Sequence, residues 1–450
     1  MSFEIDKFSL DHLKELIKNN QELVIHELLE EMHYADLAEI MESLDIFEAV
    51  YVFNVLDSEK SAEILLELDD DLREKLLKSL TPKEIAEELD ELSTDDAADI
   101  ISELPYGKKE AVISQLEDIA HAKDIVELLR YDDDTAGGLM AKELVRVNEN
   151  WNVLTCVKEM RAQAENVERV HSIYVVDDED KLIGRLSLKD LLTTSTKTPI
   201  KEVYIKRVDF VNVNTKDVEV ARIMQKYDLE AIPVVNEMGV LVGRITIDDI
   251  VDVIKEEADK DYQLAAGISQ DIEADDNILT HTKARLPWLI LALIGGFAAV
   301  KVAGGYEEAI EKFSILFYFT PLIAAMAGNV GVQSSAIIVQ GLANGSLSGT
   351  VLKMLGKEVT LSLLNGFVLS VLLLAGTYFL LDVDILIGLT LAISLLTVII
   401  IASLVGTFTP LMLNKYGIDP ALATGPFITT SNDIFGLLIY FSIAKLILGF

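Results

Sequence analysis

Cysteine occurs once in the 450 residues, at Cys156. No disulfide forms within one chain, and no thiolate cluster is available to a metal, which suits a reducing cytosol. Histidine is scarce: His12, His26, His33, His121, His171 and His281 all precede Trp288. The apolar C-terminal third therefore lacks a Ser/His or His/Glu constellation, which disfavours an intramembrane hydrolase. Basic residues are short as well. There are 38 Lys and Arg against 74 Asp and Glu, a net charge of −36. Phosphate needs Lys and Arg, so nucleic-acid binding is not expected. An acidic surface attracts cations, and it also keeps a protein soluble. The opening MSFEIDKFSL has neither a basic region nor an apolar core, so no signal peptide is expected.

The charge is unevenly spread. From Trp288 onward there are 6 basic and 8 acidic residues, whereas the first 287 residues carry a net of −34. That pattern is a soluble module followed by a membrane module, and the length allows two to four domains. Five apolar stretches follow: Leu286–Ala303, Phe313–Ile338, Val359–Leu381, Ile385–Leu413 and Ala421–Phe450. Each approaches or exceeds the ~20 residues that cross the hydrocarbon. The first is short and contains Lys301. Lys283 and Arg285, then Lys353 and Lys357, then Lys415 mark loops of one side. Glu307, Glu308 and Glu311, then Asp382 and Asp384, mark the other. The positive-inside rule puts the N-terminal half in the cytosol and the C-terminus outside.

Asp433 lies in the last stretch with no basic residue nearer than Lys445. A carboxylate at bilayer depth costs roughly 3 kcal/mol on insertion scales, and such groups commonly mark ion paths. In the second stretch Pro321 frees a carbonyl, Gly328 and Gly331 allow close approach, and Asn329 and Gln333 share a face. Glu358, Ser362 and Asn365 form another stripe. Thr429 and Thr430 precede Asp433 by one turn. Oxygen ligands of this kind, with one carboxylate, suit a hard hydrated cation. The same small and polar residues also hold helices together. No basic ring lines the stretches, which disfavours an anion channel.

The soluble half carries two repeats. Leu44, Leu56, Leu68, Leu80, Leu92, Leu104 and Leu116 recur every twelve residues, each preceded three residues earlier by an apolar residue. The pairs predict apolar stripes on short helices stacked into a superhelical scaffold. Thr81-Pro82-Lys83-Glu84 is a capping box with proline at the first helical position. Ser58, Ser93 and Pro105 mark other starts. The second repeat has an offset of 59: Ile173-Tyr-Val-Val-Asp177 returns as Ile232-Pro-Val-Val-Asn236. Gly184-Arg-Leu-Ser187-Leu-Lys-Asp190 returns as Gly243-Arg-Ile-Thr246-Ile-Asp-Asp249. Each unit reads as strand, turn, strand, then a helix opened by Ser or Thr, with a helical stretch before it (Val153–Ala164, Val218–Tyr227).

This tandem resembles a CBS (cystathionine-β-synthase) domain pair. The resemblance implies a regulatory module that binds ATP or another adenosine nucleotide, with Asp190 and Asp249 toward the ribose and Ser187 and Thr246 toward phosphate. A dimerisation platform without nucleotide is the alternative. A run of acids follows: Asp248, Asp249, Asp252, Glu256, Glu257, Asp259 and Asp261. Helical spacing places Asp249, Asp252 and Glu256 on one face, with Asp259 a turn further. Unneutralised, that face repels acids such as Asp95, Asp96 and Asp228; a divalent cation would draw them together. Simple solvation of an acidic helix is the plainer reading.

The order as a whole resembles the MgtE family of magnesium channels and transporters. It comprises an acidic helical repeat, a CBS pair, an acidic helix and five spans, with Pro321…Met326-Ala-Gly-Asn329 and a late aspartate. Ala327 stands where that family usually has a first glycine. The expected fold is a multidomain membrane protein: an all-α N-terminal domain at 1–133, α/β CBS units at 134–198 and 199–258, an acidic connecting helix and linker at 246–284, and a five-helix membrane domain at 285–450. The resemblance implies a homodimer in the plasma membrane with the pore on the two-fold axis. It implies Asp433 as the pore ligand for hydrated Mg²⁺, lined by Asn329, Gln333, Glu358, Asn365 and Thr429. It further implies a cytosolic Mg²⁺ sensor among Asp95, Asp96, Asp228, Asp249, Asp252, Glu256, Glu257 and Asp259, closing the pore when loaded. No enzymatic activity is expected. A chloride channel with a CBS tail and a non-conducting divalent receptor are the competing readings; the position of Asp433 and the domain order weigh against both.

Overall fold

The computed structural model describes residues 7–449 apart from 165, 166, 168, 271, 273–275, 348 and 424. Two compact units divide at Ile254 and Lys255.

The first unit opens with ten short helices between Lys7 and Leu128. Asp45 and Thr81 close capping boxes, with Glu48 and Glu84 bonding back to the cap backbone. The twelve-residue leucines sit differently from the expected stripe. Leu68, Leu80 and Leu104 are C-cap residues in extended conformation, while Leu65, Leu77 and Ile101 occupy the last helical turns. The period thus marks where the chain leaves each helix and plugs the core. The helix Ser58–Glu67 begins at Ser58 as expected, with Asp57 in the cap position. Orphan carbonyls at helix ends are capped by lysines 48 residues apart: Lys60 Nζ reaches Leu29 O at 2.8 Å, and Lys108 Nζ reaches Leu80 O at 2.8 Å.

Two three-stranded sheets follow with the same topology. The first has β1 (Val145–Asn148), β2 (Ile173–Val176) and β3 (Leu182–Leu186); the second has β4 (Val211–Asn212), β5 (Ala231–Val235) and β6 (Leu241–Thr246). In each, the first pair is parallel and the second antiparallel. The repeated motif glycines have a clear cause. A Cβ on Gly184 would strike the Ile205 carbonyl, and one on Gly243 would lie 2.8 Å from the Ala141 carbonyl. At these positions single-residue bridges, Arg185 to Ile205 and Ala141 to Arg244, add an extra segment to each outer strand. The core of the helical repeats is continuous with the second sheet, joining Ile101 and Leu128 to Val220, Ile232 and Ile250. The first sheet has its own core around Val147, Cys156 and Val175.

The helix Ile247–Ala265 leads into the second unit, which contains five helices long and apolar enough to span a membrane: Ile278–Gly304, Ile315–Ala343, Val351–Phe379, Ile385–Lys415 and Gly425–Leu448. The first begins eight residues before the apolar stretch, capped by Asn277, whose side chain accepts from Leu279 and Thr280 amides. Its polar first turns had hidden it. The third and fourth spans meet through Ser362 and Ser403, whose hydroxyls are 2.5 Å apart. The second and fifth meet through Tyr440, which donates to the Leu316 carbonyl at 2.8 Å. A Cβ on Gly406 of the fourth span would collide with the Gly331 carbonyl of the second. Gly406→Ala is therefore expected to destabilise the membrane domain by about 1–3 kcal/mol, read as a lower unfolding temperature in detergent.

Candidate cation path and acidic docking site

The fifth span presents Asp433 half-buried, with neither a hydrogen bond nor an ion pair to any described residue. One turn earlier Thr429 donates to the Gly425 carbonyl at 3.0 Å, leaving its oxygen lone pairs available. The second span packs on this face. A Cβ on Gly328 would lie 3.2 Å from Thr429, and Gly436 abuts Ala327. On the same second span, Asn329 and Gln333 are exposed on the single chain, as is Asn365 on the third. Amides facing lipid would lose their hydrogen bonds. Glu358 is tied back instead, accepting from Ser334 at 2.6 Å.

In the first unit the structure brings part of the expected acidic set together. Asp95 is buried on the helix Thr94–Glu103, and Asp96 nearly so. Burial raises the pKa of Asp95, and the Asp249 charge from the connecting helix adds to the rise. Asp96 is pushed up to about 7 by burial and by Asp95, with Asp248 contributing. Asp249 is raised by burial too, although its Oδ2 accepts from both the amide and the hydroxyl of Thr246 at 3.0 Å. The Ser93 hydroxyl contacts both Asp95 and Asp96, the latter at 2.6 Å. One hydroxyl proton cannot serve two ionised carboxylates. Beside them Thr94 binds Glu143 through its amide (3.1 Å) and hydroxyl (2.8 Å), and accepts from the Lys142 amide at 2.9 Å. This Thr94–Lys142–Glu143 tie holds the acids against the CBS region. Sequence reading missed it, because nothing in local spacing links positions 48 residues apart.

Asp228 is exposed at a left-handed helix C-cap. Asp252, Glu256 and Asp259 are exposed on the connecting helix, and Glu257 pairs with Lys260. Glu256, Glu257 and Asp259 belong to the second unit. Among the described residues no three His, Cys, Asp or Glu side chains converge closely enough to enclose a metal. Magnesium held through its waters needs fewer direct ligands than that.

Carboxylates with raised pKa values in the folded state are best accommodated when protonated. Their contribution is present below the ordinary carboxylate range and lost as pH rises toward about 7. With a chelator present, the soluble region is expected to melt at lower temperature at pH 8 than at pH 5. Millimolar Mg²⁺ should remove most of that difference. Melting curves at both pH values check it.

The two CBS motifs are equivalent in sequence but not in structure. Thr246 and Asp249 satisfy each other, whereas Ser187 caps its helix without a side-chain bond and Asp190 is part-exposed. Near the first motif's sheet, Tyr174 is buried with Arg185 and Arg244 close enough for their charges to act on it.

Family models match three regions: "MgtE intracellular N domain" over residues 32–134, "CBS domain" over 136–196 and 200–256, and "Divalent cation transporter" over 320–443. The magnesium transporter MgtE of Thermus thermophilus is 34% identical over 97% of this chain and 98% of its own. That of Enterococcus faecalis is 35% identical over 99% and 98%. Among solved structures, the cytosolic domain of the Mg²⁺ channel MgtE in complex with ATP is 35% identical. It covers 54% of this chain and 99% of its own, with a TM-score of 0.51. The soluble part of a magnesium transporter is 32% identical, covering 55% and 98%, with a TM-score of 0.50. With its helical N-terminal domain, CBS pair and five spanning helices, this chain belongs to the MgtE family of divalent cation transporters, multi-pass membrane proteins that are not enzymes.

Proposed function

We propose that the chain forms a homodimer in the plasma membrane that carries Mg²⁺ into the cytosol. Full-length relatives named as magnesium transporters support the ion. The observation that carries the pore reading is Asp433: a carboxylate inside a spanning helix, without a cationic or hydrogen-bonding partner among described residues. It attracts a divalent ion, while Thr429, Asn329, Gln333 and Asn365 receive the waters of its hydration shell. Mg²⁺ dehydrates reluctantly, and one carboxylate per chain among neutral oxygens suits it better than a Ca²⁺ cage. The exposed amides on the second and third spans are the surface a second copy would cover, giving a pore between two chains. The N-terminal half is cytosolic and the C-terminus outside.

The buried acids supply regulation. Mg²⁺ binding at Asp95, Asp96 and Asp249 stabilises the docked arrangement of the helical repeats on the CBS region and so favours the closed pore. When Mg²⁺ falls, repulsion loosens it. The ion shifts the equilibrium only by its differential affinity for the two states. An ATP-bound relative supports an adenosine nucleotide as a ligand of the CBS pair, and its place in this reading is the Asp190 and Ser187 side, where Ser187 and Asp190 are not bonded to each other as Thr246 and Asp249 are. Calorimetric titration of ATP into the full chain tests this: Asp190→Ala should weaken binding at least tenfold, and Asp249→Ala much less. Equal losses would contradict the division of roles.

A further inference from the structure

The second, fourth and fifth spans meet at Gly331. A Cβ there would strike the Asn432 amide and lie 2.7 Å from Ile428, while Gly406 closes on its carbonyl. Into this crossing the fifth span sends Asn432, 1% exposed. Its Nδ2 donates to the Ala327 carbonyl at 3.2 Å, and its Oδ1 has no partner among described residues. Burying an amide whose oxygen has no partner is unfavourable, so packing alone does not account for it. Successive residues on a helix point about 100° apart. Pinning Asn432 to the second span therefore fixes the direction in which Asp433 points.

We propose that Asn432 is a positioning residue of the cation path. Its bond to Ala327, admitted by the missing side chain at Gly331, sets the rotation of the fifth span and with it the aim of the Asp433 carboxylate. This rests on the reading of Asp433 as the pore ligand.

The test measures initial Mg²⁺ uptake against Mg²⁺ concentration in liposomes carrying the full chain. Asn432→Ala is expected to raise the half-saturating concentration on the order of tenfold, as loss of ligand alignment does. Asn432→Leu keeps the branched shape without leaving a cavity and removes the unpaired acceptor, so it should show the same shift, with a melting curve in detergent confirming that it is folded. Gly331→Ala should reproduce the shift alone and add little in the Asn432→Ala background, because both break one contact. Wild-type half-saturation in Asn432→Leu, or multiplying effects in the double variant, would overturn the proposal. Asp433→Ala is run alongside. If it abolishes uptake while Asn432→Leu is normal, the positioning role fails and the pore reading stands. Wild-type uptake in Asp433→Ala removes both.

Discussion

Asp433→Ala is expected to reduce Mg²⁺ uptake on the order of 100-fold or more while raising the unfolding temperature. Both effects come from one cause. A lone carboxylate at bilayer depth costs roughly 3 kcal/mol, and that cost falls on the folded membrane domain. Removing it relieves the domain and deletes the only acid in the fifth span. Charge acts strongly there because little water screens it. The neighbouring Thr429 hydroxyl and the exposed amides remain, but neutral oxygens alone hold a divalent ion weakly. Asp433→Asn keeps the volume and should be nearly as defective, which separates charge from shape. Growth of a Mg²⁺-uptake-deficient strain at limiting Mg²⁺ reads the transport loss; a melting curve in detergent reads the gain. A variant that loses both transport and stability would point to a packing role for Asp433 instead.

The second large effect concerns regulation. Asp95→Asn/Asp249→Asn is expected to reduce the dependence of uptake on cytosolic Mg²⁺ by at least tenfold. Asp95 is buried beside the Asp249 charge, and Asp96 adds a third acid. With both amides in place the Asp95–Asp249 repulsion is gone and Asp96 loses its nearest acidic neighbour, so the docked arrangement depends far less on the ion. The Thr94–Glu143 bonds and the shared core with the second sheet then hold it. Uptake should stay low even when cytosolic Mg²⁺ is scarce. Proteolysis of the double variant should likewise become insensitive to added Mg²⁺. Unchanged Mg²⁺ protection would move the sensor to other carboxylates, such as those exposed on the connecting helix. The pair is preferable to Asp249→Ala alone, which would also leave Thr246 without its carboxylate partner.

Much of the fold was legible because it is local. The 59-residue repeat located both antiparallel hairpins, and Ser187 and Thr246 stand immediately before the helices that follow them. The apolar runs revealed five spans, but not their ends. The first span's opening turns carry Thr280, His281, Lys283 and Arg285, which look like loop until Asn277 caps them. The twelve-residue leucines look like helix faces in sequence because periodicity does not distinguish the last turn from the residue that leaves it. What stayed hidden was long-range. Nothing in the sequence says that Thr94 reaches Glu143, or that the helical core runs on into the second sheet. Of the acidic set, sequence could name Asp95 and Asp249 only among many equivalents. Burial singles them out, and burial is a tertiary property. Asn432 is not distinguishable in sequence from any other polar residue that holds helices together, because its burial and its bond to Ala327 depend on the second span.

The central claim is a Mg²⁺ path that needs Asp433 and closes when Mg²⁺ loads the cytosolic acids. Its most direct test is Mg²⁺ flux into liposomes reconstituted with the purified full chain, followed while Mg²⁺ is titrated on the cytosolic face. The account predicts flux at low cytosolic Mg²⁺, suppression as that concentration rises, and flux largely lost at every concentration in Asp433→Ala. Flux of wild-type size in Asp433→Ala, or wild-type flux indifferent to cytosolic Mg²⁺, would contradict it.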